Sequence, residues 1–214
     1  MKEITKTSRL AGSLEKLFNM INADWFNGEL ETPIITIQST PKAYGHVTVN
    51  PEAWSVKGEG RRELNIGAGT LYRDIDATVS TMMHESCHIY NLQNGISDVS
   101  RGGTYHNKRF RETAEAHGLI VTYSERYGHA HTSASDELLE WILDNNIPEI
   151  MITRNEYSLN AIGGAGARTP TGLNTTGTKS NSRRYVCPCC GTKVRATRTV
   201  NLICGDCNVA MEER

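Results

Sequence analysis

The stretch His84-Glu85-Ser86-Cys87-His88 carries two imidazoles four residues apart, with a carboxylate directly after the first. On an α-helix, positions i and i+4 sit one above the other about 6 Å apart, so both rings face the same way. Two imidazoles so placed can ligate one Zn²⁺ through ring nitrogens. Glu85 lies one residue round the helix and can reach a water on that metal without becoming a ligand. This spacing suits a hydrolytic site, where the metal acidifies the water and the carboxylate takes its proton. The flanking residues favour a helix: Asp74 or Asp76 can cap its start, and Val79, Met82 and Ile89 form an apolar stripe on the side away from both histidines. Asn94-Gly95, which tolerates φ > 0, ends it. Histidines buried only for packing would lie on the apolar stripe, and these do not.

A second pattern stands near the end of the chain. Cys187/Cys190 and Cys204/Cys207 form two C-x-x-C knuckles with 13 residues between them. Four thiolates at this spacing define a tetrahedral structural Zn²⁺ site, and a module this small needs a metal to fold. Cys189 is the odd one out, since its pairings with Cys187 or Cys190 lack knuckle spacing. A redox pair would need only one C-x-x-C. Between the knuckles, residues 192–203 are β-rich and able to form a hairpin. Lys193, Arg195 and Arg198 lie there, and strand alternation puts Lys193, Arg195 and Thr197 on one face. Residues 179–214 carry a net charge of +4, leaving −5 for the remainder of a chain whose overall charge is −1. The basic ribbon points to an acidic partner such as DNA, against the plainer reading of a solvated face.

The remaining segments frame these two sites. Leu10, Leu14, Leu17, Ile21 and Trp25 recur at helical spacing from Ser8 to Phe26, and Asn27-Gly28 ends that helix. Short strands are expected at Ile34–Ile37, Tyr44–Val49 and Glu63–Ile66, forming a small antiparallel sheet. His46, alone in one of them, reads as a surface histidine. Ile96 to Tyr105 reads as a polar loop leading into a helix from His106 to His117. A catalytic zinc takes three protein ligands plus water, so His106 and His117 compete for the third position. They lie on one helical face some 16 Å apart, so only one of them can serve. The glycine loop leading into His106 makes it the plausible third ligand, and His117 reads as a packed, hydrogen-bonded core histidine. His129 and His131 fall in an expected exposed turn, Cys87 reads as a small buried apolar residue, and Ser135 caps a short helix running to Leu143.

Residues 158–182 hold five Gly and five Thr with no aromatic residue and no acid, the composition of a flexible linker. The expected organisation is thus a domain over 1–157, a linker over 158–182 and a zinc ribbon over 183–214. No apolar run is long enough to span a membrane, and Met1–Ser8 lacks an apolar leader segment. An intracellular, cytoplasmic protein is expected, with cysteines serving as metal ligands before disulfides.

Assembled, the chain resembles the SprT-like (Spartan) family. The matching residues are Trp25-Phe-Asn-Gly-Glu-Leu30, Gly45, Leu64-Asn-Ile66, His84-Glu85-x-x-His88, His106 followed by Phe110, and a four-cysteine ribbon opened by Tyr185-x-Cys187. The resemblance implies an α+β zincin-like metalloprotease domain followed by a small β zinc ribbon. It implies His84, His88 and His106 as ligands of a catalytic zinc and Glu85 as base. It also implies protein substrates associated with DNA. An extended substrate would add to an edge strand, with Ile34–Ser39 or Leu64–Gly67 as candidates. The rival from another class is a non-catalytic DNA-binding zinc protein working through Lys193, Arg195 and Arg198, in which Glu85 has no use.

Overall fold

A computed structural model describes residues 4, 6–40, 43–150, 152–154, 183–196 and 198–213. The first helix, α1 (Thr7–Trp25), buries Leu10, Leu14, Leu17, Phe18 and Ile21 along one face. Each such side chain removed from water contributes about 1.5–3 kcal/mol. Asn27 and Gly28, both at positive φ, end the helix, and the Gly28 amide donates to the Asn22 carbonyl. The Asn22 side chain bonds both the amide and the carbonyl of Leu30, which fixes the exit of the chain.

Five strands follow: β1 (Ile34–Gln38), β2 (Gly45–Val47), β3 (Trp54–Val56), β4 (Glu59–Arg61) and β5 (Glu63–Gly67). They form a three-stranded sheet in the order β1-β5-β2 and a separate β3–β4 hairpin. The expected antiparallel sheet is corrected to a mixed one, because β1 runs parallel to β5 while β2 runs antiparallel to it. Strand β5 is therefore central, and Leu64–Gly67 cannot be an edge that receives a substrate. Asn65, fully buried in β5, ties the sheet together by accepting from the Thr36 hydroxyl and the Gln38 amide.

Helix α2 (Ile75–Gln93) is the centre of the molecule and packs against α1, β2 and β5 as well as elements that follow it. Val79, Met82 and Ile89 are all buried, as the stripe predicts. Asp74 occupies the N-cap position without a side-chain cap bond, and Asp76 sits in the first turn. Arg73 instead braces this end, donating to the carbonyls of Thr70 and Ala77 and to the Thr81 hydroxyl.

After α2 come β6 (Val99–Ser100), β7 (Tyr105–His106), α3 (Lys108–Ala116), β8 (Leu119–Ser124), β9 (Gly128–Ala134) and α4 (Asp136–Asp144). Two expectations change here. His106 lies at the end of strand β7 rather than on a helix, because Asn107 caps α3 by accepting from the amides of Arg109 and Phe110. The stretch around His129 and His131 is strand β9, paired with β8 in a sheet ordered β6-β7-β9-β8, rather than a free turn. Its Gly, Ala and His content hides the strand, but the alternation that buries Leu119 and Ala134 is decided by cross-strand pairing. Ser135 caps α4 as expected, accepting from the Leu138 amide.

The ribbon comprises β10 (Arg183–Val186), β11 (Lys193–Ala196), β12 (Ile203–Cys204), β13 (Val209–Ala210) and β14 (Glu212–Glu213). Among the described residues, no hairpin forms within 192–203. Strand β11 pairs back across the first knuckle onto β10, and β12 pairs with β13 across the second. The expected linker at 158–182 lies outside the described residues. The architecture is α+β, with four helices and small sheets among the described residues. None of its helices is long and apolar enough to cross a membrane.

Candidate metal centre

Helix α2 presents His84 and His88 on one face, and β7 brings His106 to meet them. The three Nε2 atoms lie 3.2, 3.2 and 3.0 Å apart. Three imidazole nitrogens bound at about 2.0–2.1 Å to one tetrahedral ion would be separated by about 3.3 Å. Converging lone pairs repel one another unless a cation sits between them, so the donor set fits a metal ion. Phe110, fully buried, forms a common floor beneath the site, with its ring 4.5, 4.7 and 4.6 Å from those of His84, His88 and His106.

The outer ring nitrogens differ in their support. Nδ1 of His84 lies 3.1 Å from the Thr132 hydroxyl on β9. Nδ1 of His88 lies 2.6 Å from a carboxylate oxygen of Asp98. Burial holds His84 well below the usual imidazole range, helped by the positive charges its histidine neighbours could carry. Burial and His88 bring His106 down to about 4. Both rings are therefore neutral near pH 7, the form that ligates a metal. Asp98 is pushed up by burial, but its bonds to His88 and Asn91 outweigh this and hold it below the ordinary carboxyl value.

Glu85 is buried beside these rings, and desolvation raises its pKa to about 7. Strand β2 closes over it. A Cβ built on Gly45 would lie 3.0 Å from Oε1 of Glu85 and 2.8 Å from the Asn65 carbonyl, so only glycine fits without displacement. Cys87 is buried, and burial pushes its thiol up. It packs as a small apolar side chain, as expected.

His117 is not part of the centre. Its ring stacks on Phe26 at 4.1 Å and its Nδ1–H donates to the Thr113 carbonyl at 2.7 Å, the packed role its position allows. His46 is exposed and sits 3.6 Å from Glu63. Asp98, Thr132 and the floor role of Phe110 escaped the sequence reading. Asp98 lies in a polar loop with no local pattern around it, and Thr132 lies in the strand misread as a turn.

In the ribbon, the ligand sulfurs of Cys187, Cys190, Cys204 and Cys207 lie within 4.8 Å of one another, and those of Cys190 and Cys204 are 3.6 Å apart. Sulfurs on a tetrahedral ion at about 2.3 Å would be about 3.8 Å apart. Gly191 and Asn208, each following the second cysteine of its knuckle, both take positive φ. Bonds from the Thr192 hydroxyl and amide pull the Cys190 thiol down to about 6, toward the thiolate a metal needs. Cys189 is exposed and stands outside the cluster.

No family model, curated protein or solved structure matches this chain.

The expected cationic face of the ribbon is only partly available. Lys193 and Arg198 are exposed, but the Arg195 side chain is 9% exposed and points into the first domain. There it bonds Asp76 at 3.0 Å and also Glu149. Arg195 is thus corrected from a surface cation to a buried ion-pair partner. Tertiary packing brings together carboxylates 119 and 46 residues away in sequence.

Proposed function

We propose that the protein is a zinc-dependent metallopeptidase of the SprT-like type, with a zincin-like catalytic domain and a zinc ribbon, acting on peptide bonds inside the cell. The observation that carries this reading is Glu85, a carboxyl buried on the same helix as His84 and His88, beside a cluster of three converging imidazoles. His84, His88 and His106 would hold the catalytic zinc, and Cys187, Cys190, Cys204 and Cys207 a structural one. When bound, the catalytic zinc supplies Lewis acidity to the attacking water and to the scissile carbonyl. Glu85 takes the proton of that water and passes it to the leaving amine. Without metal this carboxyl titrates near 7, and a bound cation would favour its carboxylate, the form that takes the proton. Phe110, fully buried against all three rings, excludes bulk water from beneath the imidazoles.

An extended substrate fits best along β2, which pairs only with β5 among the described residues and abuts Glu85 through Gly45. Backbone pairing there would lay the chain across the site whatever its side chains. DNA-associated proteins are the proposed substrate class, supported by the exposed Lys193 and Arg198 and by the family resemblance. The rival reading, a DNA-binding zinc protein without catalysis, gives no reason to bury Glu85 beside the imidazoles. The test is incubation of an unfolded protein with wild type and Glu85→Gln, with and without single-stranded DNA. Turnover should fall at least about 10²-fold in the variant while its zinc content is unchanged. Equal proteolysis by both proteins would refute Glu85 as the base.

A further inference from the structure

Behind the three imidazoles a polar chain runs away from the site into the protein. Oδ2 of Asp98 receives two donors, Nδ1–H of His88 at 2.6 Å and Nδ2–H of Asn91 at 3.0 Å. Asp98 is 3% exposed and Asn91 is fully buried. The Asn91 amide is oriented by that carboxylate, because only its NH₂ can face an anion. Its Oδ1 then accepts from the Thr113 hydroxyl on α3 at 2.8 Å. The loop carrying Asp98 is pinned at both ends. The Ile96 amide donates to the Asn91 carbonyl, and Asn107 bonds the carbonyls of Asp98 and Ser97 through its amide and side chain. The next residue, Val99, pairs with His106, so one short ladder sets both Asp98 and the third imidazole.

A buried carboxylate is costly to desolvate unless paired. Here its pairing is aimed at one ring nitrogen. A proton held on Nδ1 leaves the Nε2 lone pair of His88 facing Nε2 of His84 and His106. Among the described residues, support for His84 Nδ1 comes from a neutral hydroxyl, and charge-assisted bonds are the stronger kind.

We propose that Asp98, oriented by Asn91 and Thr113, is the positioning residue of the metal centre: it locks His88 in the Nδ1–H tautomer and makes it the dominant ligand. This rests on the reading of His84, His88 and His106 as a metal site and is independent of what that site hydrolyses. Asp98→Asn preserves shape and an acceptor but removes the charge. Outer carboxylates of this kind change metal affinity by about 10–100-fold, which is the loss expected. Thr132→Val removes the neutral support of His84 and should lose less.

Both are measured on the full chain by titration with Co²⁺ against a chelator. The histidine site is followed by its d–d bands, while the ribbon site is marked by sulfur charge-transfer absorption. The second readout needs no variant: ring ¹⁵N shifts of His88 in the metal-free wild type should report a single Nδ1–H tautomer. Cobalt affinity within about twofold of wild type in Asp98→Asn would overturn the proposal. So would a larger loss in Thr132→Val, or an Nε2–H tautomer in the wild type. Neither readout involves a substrate, so a protein that binds metal as described but cleaves nothing would refute only the peptidase reading.

Discussion

Burial of Glu85 should make the metal-free protein lose stability as pH rises, and Glu85→Gln should abolish that loss. Desolvation lifts the folded carboxyl from the ordinary value of 4.5 to about 7. Below about pH 4.5 the group is protonated in both folded and unfolded chains, and it adds nothing to the balance. Between there and about pH 7 the unfolded chain has released a proton that the folded chain retains, so stability falls with rising pH. Above pH 7 the full penalty applies: a shift from 4.5 to about 7 corresponds to about 3 kcal/mol. The variant should therefore match wild type near pH 4.5 and exceed it by up to about 3 kcal/mol at pH 8.5. His84 and His106, held neutral by burial, weaken both proteins as pH falls, so their contribution cancels in the difference. Urea unfolding in chelator reads the effect directly. All three tryptophans, Trp25, Trp54 and Trp141, precede the ribbon, so their fluorescence follows the first domain alone. Restoring zinc should shrink the difference, because a nearby cation favours the carboxylate. A pH-independent difference, or a variant less stable than wild type at pH 8.5, would refute the desolvation argument.

Gly45→Ala should retain zinc yet lose most activity on an unfolded protein, since the added Cβ must displace Glu85 or the Asn65 carbonyl; unaltered kcat/KM would show that β2 yields freely. His106→Ala should empty the histidine site by elemental analysis, whereas His117→Ala should keep both metals and lose about 1–3 kcal/mol of stability with its buried bond and stacking. The opposite pattern would mean that the wrong histidine has been taken as ligand. In salt titrations of DNA binding by the full chain, Lys193→Ala and Arg198→Ala should each reduce the slope by about 0.7–0.9. Arg195→Ala should not reduce it, because its guanidinium is engaged by Asp76 and Glu149; an equal reduction would show that the ion pairs open when DNA binds.

Those parts of the molecule governed by short-range periodicity were legible in the sequence. The i, i+4 spacing of His84 and His88, the apolar stripe of α1, the Ser135 cap and the paired knuckles are each encoded within a few residues. The physics that reads them acts at that range, through helix geometry, capping bonds and tetrahedral sulfur spacing. Residues whose roles depend on distant partners were not legible. His106 is expected as a ligand, but from the start of a helix; it reaches the centre from a two-residue strand because Val99 and Gly128 pair with it, and no local pattern marks so short a strand. Asp98 and Thr132 support His88 and His84 across 10 and 48 residues of chain. Gly45 matters only because β2 folds down onto Glu85. Arg195 has the local pattern of a surface cation and became a buried one when the ribbon met Asp76 and Glu149. The sequence by itself thus determined which residues could ligate a metal. Tertiary packing decided which histidine completes the site, what holds the rings in place, and which cations remain exposed, because burial and hydrogen-bond satisfaction are settled between elements rather than within them.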